Sequence, residues 1–516
     1  MDNNSIELGL FASRVGAICE EMGALLGRVA FSPNIRDRLD YSCALFNHRG
    51  YLLGQATHIP VHLGSMAYAM VDLVKSRQWQ AGDMLILNDP YKGGTHLPDI
   101  TLVAPVFSGL ELVGFCANRA HHADIGSDAP GSMPVSSLLA EEGLLIPPTL
   151  LVKNNLVEDD FLQSILQKLT SPDTSRGDFN AQIAANLLGV QRLQALVEAS
   201  GLTEFERLED GLQSWAQTLA RTSLASIPDG VYQFEDYLDD DGYGQTDIVI
   251  KVTISIRDGG VDIDFKGTAA QVSGNLNCPM PVTAAAVIYV FRCLMPAHLP
   301  ACHGAFQGIR ITAPKSCLVN ATAPAAVAAG NVETSSRIVD VVCGALSKAI
   351  PEQIPAASQG TMNNLAMGSR GENGWDYYET LAGGMGAAFD SHGCSARHSH
   401  MTNTLNTPIE VLELNYPLRI TRYAIRKNSG GDGEYRGGDG VVRQYRFLAN
   451  AEVSLLTERR RLEAWGLKGG KPGLCGVNQL DGEEIPAKIC FNAVSGQVLT
   501  ITTPGGGGYG AKGSGP

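Results

Sequence analysis

Two segments rich in histidine and aspartate, NDPYKGGTHLPDITLVAPVF (88–107) and FCANRAHHADIGSDAPG (115–131), flank a stretch that reads as one tight β-hairpin. With Ser108 and Gly109 as a two-residue turn between strands over 100–107 and 110–118, antiparallel pairing sets His96 opposite His121. Asp99, near the start of the first strand, lies a short step from Arg119 to His121 at the end of the second. Imidazoles and a carboxylate converging in this way are the ligand chemistry of Zn, Mn or Fe, so the spacing predicts a divalent metal site at the foot of the hairpin.

The rest of the chain sets the frame for that hairpin. Its 516 residues, 44% of them hydrophobic, suit a multi-domain fold at roughly 100–200 residues per domain. A net charge of -14 argues against nucleic acid or an anionic membrane surface, because phosphate binding needs a basic face. Residues 6–30 carry Glu7, Glu20 and Glu21 among apolar positions at three-to-four spacing, the pattern of an amphipathic helix and not of a signal peptide. No uncharged apolar run of about 18 residues occurs, so no membrane span is expected. The eleven cysteines form no C-x-x-C pair and read as small apolar core residues of a reducing, cytoplasmic protein. Cys293 and Cys302 are expected to stay unpaired, and Cys116, beside the histidine pair, is the one thiol to check as a nucleophile.

Periodicity divides the chain into four regions. Residues 1–155 form an N-terminal α/β region carrying the metal hairpin, with a further hairpin from SCALF and YLLGQA around the turn NHRG. Residues 156–225 have helical periodicity and read as a helical hairpin inserted in the chain. Over 226–365 the strands VYQFEDYL, DIVIKVTISI and VDIDF alternate around Asp/Gly turns and precede two helices, PVTAAAVIYVFRCLM and SSRIVDVVCGALSKAI. Residues 366–516 are a Gly-rich β region, in which glycines at strand ends predict many tight turns. The fold class expected is mixed α and β (α+β), with a large antiparallel component.

Among the remaining candidates, Asp40 in NIRDRLDYS is a plausible fourth ligand; spacing does not separate it from Asp37, which lies between two arginines and has them to pair with. His122 follows His121 and points to the opposite face of an extended strand, which suits a proton carrier near neutral pH better than a ligand. Asp124 has two readings, orienting a histidine ring through its second nitrogen or bonding within an ordinary polar loop. His58 and His62 in THIPVHLGSM are four apart, but Pro60 between them argues against a regular helix, leaving substrate-pocket or structural roles. GLKGGKPG (466–473) and TPGGGGYG (503–510) do not match G-x-x-x-x-G-K-[ST], so any ATP is expected on another subunit.

The motifs SPNIRDRLDYSCALF, HIPVHLGSM, NDPYKGGTHLPDI, RAHHADIGS, DFNAQIAAN, DFKGTAAQVSGNLNCP, GNVETSSRIVD, HMTNTLNTPIEVLE, SGGDGEYRGGDG and TPGGGGYG run in order almost end to end. In these the chain resembles the hydantoinase B/oxoprolinase family. The resemblance implies a partner, a hydantoinase A-like, actin-like ATPase subunit, in a heterotetramer that opens cyclic amides such as hydantoins, 5-oxoproline or other lactams at the expense of ATP. It carries the family's metal set onto Asp40, His96, Asp99 and His121.

That implies an activity: phosphorylation of the carbonyl oxygen in the partner, then metal-dependent hydrolysis in this chain, with Asp99 or His122 transferring the proton and Asp124 assisting. His122 is the better carrier if Asp99 is fully bound. Two other expectations compete with it. The family also holds the large subunits of acetone and acetophenone carboxylases, and a non-catalytic scaffold for the ATPase is the third reading.

Overall fold

The computed structural model describes residues 3–56, 59–371 and 374–512. Its N-terminal half is built on one seven-stranded sheet. The amphipathic N-terminus forms helix α1 (Asn3–Val29), and a short helix α2 (Pro33–Arg36) leads into the hairpin β1 (Tyr41–Asn47) and β2 (Leu52–Gln55). Helix α3 (Pro60–Lys75) follows, then β3 (Met84–Leu87), the long hairpin β4 (Asp99–Ser108) and β5 (Glu111–His121), and the edge strands β6 (Thr149–Lys153) and β7 (Leu156–Val157). Spatial order is β2-β1-β5-β4-β3-β6-β7, every neighbour antiparallel.

The central hairpin is buried along nearly its whole length because helices cover both of its faces. Val103, Phe115 and Ala117 pack toward Met66, Met70 and Leu73 of α3. Ile100, Leu102 and Ala104 pack toward Phe179 and Ile183 of the helix Pro172–Ser200. Over 99–106 of β4 and 114–121 of β5, odd-numbered residues therefore face α3 and even-numbered ones face the other helix layer.

Helices α4 (Asp159–Leu166), α5 (Pro172–Ser200) and α6 (Leu202–Leu224) follow, the last two separated by Gly201 alone. The expected helical hairpin is present and its helices belong to the core: α5 lies on α1 and on β4 and β5. A four-stranded sheet, β11-β10-β9-β8, comes next, from β8 (Gly230–Asp240), β9 (Thr246–Arg257), β10 (Gly260–Asp264) and β11 (Ile309–Thr312). The two expected helices are α7 (Met280–Cys293) and α8 (Ser335–Leu346). One hydrophobic core draws Leu8, Leu45, Leu212, Ile250, Val287, Ile338 and Leu456 together, so it crosses all four regions marked out by periodicity.

The C-terminal region adds two antiparallel sheets, one around Asn364–Ser369 and one around Gly440–Phe447. Between them run the glycine-rich segments, and the turn expectation needs correcting there. Gly384, Gly430, Gly437, Gly438 and Gly505 to Gly508 are absent from the left-handed region of backbone space. They are required by close approach instead: a Cβ on Gly384 would stand 1.9 Å from the Gly438 carbonyl oxygen, and one on Gly437 2.0 Å from that of Gly506. Backbone hydrogen bonds join the same segments, Gly506 N to Gly438 O at 3.0 Å and Gly438 N to Met385 O at 2.8 Å. Main chain packs directly on main chain, with no room for a side chain.

Replacing Gly506 with Ala places a methyl 2.1 Å from the Met385 carbonyl oxygen. We expect Gly506→Ala to cost about 3 kcal/mol or more in urea unfolding. Gly9→Ala, in open space on α1, is expected to gain up to about 1 kcal/mol.

Candidate metal centre

The hairpin turn sits one residue later than spacing suggested, at Gly109 and Leu110, and a bulge beside Val106 shifts the register. Asp99, not His96, is therefore the residue opposite His121. Both are odd-numbered ends of their strands and so both face α3. His96 arrives from the loop before β4. Buried Arg119 holds that loop, donating to Gly93 O (2.8 Å), Ser65 Oγ (2.7 Å) and Thr101 Oγ1 (2.8 Å), and Asn88 donates to Leu97 O (2.8 Å).

Three ligand-type atoms converge at the foot of the hairpin. Asp99 Oδ1 is 3.1 Å from His96 Nε2 and 3.1 Å from His121 Nδ1, and the two ring nitrogens are 3.2 Å apart. All three residues are buried. The second carboxylate oxygen, Oδ2, accepts from Thr95 Oγ1 (2.5 Å) and Asn331 Nδ2 (3.4 Å) and lies 3.3 Å from His62 Nε2. Burial alone would raise the Asp99 carboxyl, yet His96, His62 and His121 together outweigh it and hold Asp99 well below its ordinary range. Burial also opposes charge on His96, where Asp99 prevails and moves the ring up; on His121 burial prevails and moves it down.

These groups fit a cation. His96 Nδ1 lies 3.3 Å from the Ala328 carbonyl, which only accepts, so the proton sits there and Nε2 presents its lone pair to Asp99 and His121. Lone pairs and an anion facing one point repel unless a proton or a metal ion stands between them. The donor set of two imidazoles and one carboxylate suits Zn, Mn or Fe. With His121 Nδ1 turned to that point, its Nε2 is left buried without a protein partner.

Asp40 lines the same small cavity as the triad, and its backbone oxygen accepts His121 N at 3.0 Å. Its carboxylate lies 3.9 Å from Arg38 and outside the three-atom cluster. Asp37 instead pairs with Arg36 at 2.8 Å. His122 and Asp124 do not join the cluster. Face alternation turns His122 toward α5, where Nε2 donates to Gln182 Oε1 (2.9 Å) and the ring lies on Phe179. Asp124 ties down its own loop, accepting from Gly126 N (2.7 Å) and Thr170 N (2.5 Å). His58 lies outside the described residues. None of the eleven cysteines is in a disulfide, and burial pushes the Cys116 thiol well above its ordinary range, which disfavours the thiolate a nucleophile needs.

His62 is the residue that spacing misjudged. Pro60 does not prevent a helix; it starts α3, where a missing N–H costs nothing, and His62 sits in the first turn with Nδ1 3.0 Å from Ser42 Oγ. Sequence reasoning also assigned nothing to Thr95, Asn331 or Tyr378, whose ring stacks on His121 at 4.9 Å. Thr95, His62 and Asn331 stand inside motifs that carry the family resemblance, which was their one signal.

The cavity at the triad measures about 20 Å³. A larger cavity, about 670 Å³, lies against Pro90–Gly93 of the same loop and is lined by none of the triad.

These features sit in a chain whose relatives are recognisable. A family model, hydantoinase B/oxoprolinase, matches residues 4–512. The chain belongs to this family. It is 38% identical to 5-oxoprolinase 1 of Arabidopsis thaliana over 98% of its own length, spanning 42% of that longer protein. It is 38% identical to the 5-oxoprolinase of Dictyostelium discoideum over 99% of its own length, spanning 40% of that protein. A Pseudomonas protein named as the B-type component of a D-/L-hydantoinase is 31% identical, the match covering 96% of this chain and 88% of that one. Among solved structures, an ATP-dependent caprolactamase from Pseudomonas jessenii superposes with a TM-score of 0.92 at 27% identity, covering 99% of this chain and 91% of that one. Acetone carboxylase shares the fold alone, with a TM-score of 0.87 at 19% identity over 98% and 76% of the two chains. No helix among the described residues is long and apolar enough to cross a membrane.

Glu142 supports His96 from behind. Its Oε1 accepts Val327 N (2.8 Å), Ala328 N (2.9 Å) and Ser136 Oγ (2.9 Å), fixing the segment whose carbonyl meets His96, while burial pushes its carboxyl up to about 7. A raised value means that the folded state holds this proton more tightly than the unfolded one. The stability it lends is full below about 4.5 and is lost as pH rises through about 7. We expect the unfolding free energy from urea titrations to fall over that window, by up to about 3 kcal/mol from this group, and to fall less in Glu142→Gln.

Proposed function

We propose that this chain is the hydrolytic subunit of an ATP-dependent cyclic amidase. A hydantoinase A-like ATPase phosphorylates the carbonyl oxygen of a lactam or hydantoin, and this chain opens the activated ring. The observation that carries the reading is the convergence of His96 Nε2, Asp99 Oδ1 and His121 Nδ1 on one buried point. The proposal gives that point to a divalent metal, Zn, Mn or Fe, with Asp40 closing the set from the cavity wall. Such an ion supplies Lewis acidity, polarising the substrate and lowering the pKa of water toward neutrality.

The chain's own residues do the rest. Thr95, His62 and Asn331 hold Asp99 by Oδ2, so that Oδ1 stays aimed at the two rings. Tyr378 covers His121, and Arg38 lies over Tyr378 at 4.8 Å, its Nη1 donating to the Tyr378 carbonyl at 3.0 Å. Proton transfer falls to Asp99; because a ligating carboxylate is a poor base, His62 is the ring placed to relay for it, between Asp99 and Ser42. Buried side chains line the small cavity at the triad.

ATP on the partner is supported by the glycine segments themselves. Gly470 and Gly505 to Gly508 lie against other backbone, which leaves no phosphate cradle there. Ring opening is favoured over carboxylation because the caprolactamase likeness is the closer in sequence and coverage. A scaffold has no use for three titratable groups buried against one another at such desolvation cost.

Elemental analysis of purified protein, set beside His96→Ala and His121→Ala, is expected to show metal in the parent and its loss from both variants. Unchanged metal content in both would falsify the site. With the A-type ATPase and ATP, the parent is expected to open lactams or hydantoins, and each variant to lose about 100-fold or more in turnover.

A further inference from the structure

The motif GNVETSSRIVD folds unusually: Gly330–Thr334 is a turn of π-helix, a rare element frequent at functional sites, running directly into α8. Gly330 allows it, since a Cβ there would stand 1.9 Å from the Asn277 carbonyl oxygen. The turn sends Asn331 to the triad and Glu333 away from it, to Met362 N (3.0 Å) and Asn364 Nδ2 (2.6 Å).

Asp99 decides which way the Asn331 amide points. An ionised carboxylate only accepts, so the NH2 end must face it, as the 3.4 Å contact from Nδ2 to Asp99 Oδ2 shows. Oδ1 is then left as an acceptor, fully buried and with no protein partner. Asn331 lines the 20 Å³ cavity together with His62, His96, Asp99 and His121. The hydroxyls in the same wall are engaged with one another, Thr380 with Thr404 at 2.9 Å and Thr402 with Thr404 at 3.4 Å. A cavity of this size has room for one water, far short of the roughly 300 Å³ of a typical ligand pocket.

We infer that Asn331 is a catalytic residue, holding the water that opens the ring by accepting one of its O–H groups on Oδ1. This rests on the ring-opening reading above. Opening the O-phosphorylated ring takes two waters at this site: the oxygen of the first joins the carbon and its two hydrogens end on the nitrogen as the C–N bond breaks, and the second cleaves the acyl phosphate so formed to carboxylate and inorganic phosphate. Fixing one O–H at Asn331 directs a lone pair of that oxygen away from the wall, toward whatever lies against the cavity. The acceptor has no other use in the fold.

The test uses the complete complex with its ATPase, ATP and a lactam, in the presence of hydroxylamine. Hydroxylamine attacks the activated carbonyl without needing the water site and leaves a hydroxamate, so the ratio of hydroxamate to carboxylate reports how well water is placed. In Asn331→Ala we expect this ratio to rise about 100-fold, with metal content as in the parent and a lower melting temperature from the donor lost to Asp99. Asn331→Ser, a polar side chain too short to place an acceptor where Oδ1 stands, is expected to give the same rise and serves if the alanine variant does not fold. A ratio unchanged from the parent overturns the inference while leaving the function standing, since a purely structural role slows both products together. A parent complex that forms neither product overturns the function, and this inference with it.

Discussion

One buried anion organises this molecule. Asp99 has lost its water almost completely, and such a charge is tolerable only where several donors or cations replace the solvent. Three side chains do so at one oxygen, Thr95, His62 and Asn331, while His96 and His121 meet the other across the point that suits a cation. They come from the first turn of α3, the loop before β4, the end of β5 and the π-turn before α8. The packing of those elements is therefore tied to one carboxylate, and the division of labour between its two oxygens gives the site a direction. Oδ2 belongs to the scaffold, and Oδ1 is left for chemistry.

A second layer keeps that first one in place. Glu142 grips the backbone at Val327 and Ala328, and Ala328 in turn meets His96. Tyr378 reaches from the C-terminal sheets to cover His121, anchored by its hydroxyl on Asn364 (2.8 Å). The C-terminal half thus closes a site whose ligand-type residues all lie in the N-terminal half. The glycine bundle behind it is a rigid mount, because main chain packed on main chain has no rotamers to rearrange.

Much of this was legible from spacing. The hairpin made His96, Asp99 and His121 neighbours whatever the details of its turn, since so short a connection admits one pairing direction. The turn itself was misjudged by one residue, and a bulge at Val106 compounded the error, so His96 and Asp99 exchanged places opposite His121. That bulge has no signature in VAPVF or in LVGF; it follows from packing on both faces of the sheet. The alternation of faces turns His122 away from the triad, and its destination, Gln182 on α5, depended on a helix whose position no local pattern reveals.

The sequence by itself determined the family, the four regions of differing periodicity and the histidine-aspartate hairpin, because these rest on local order along the chain. Only the tertiary structure decided that Pro60 begins a helix, that His62 and Asn331 complete the Asp99 cage, and that the glycines serve close packing more than turns. Apart from the helix start at Pro60, each of these is a contact between residues far apart in the chain. Its energy comes from burial and from hydrogen bonds formed after collapse, so the residues carry no trace of it until the elements meet.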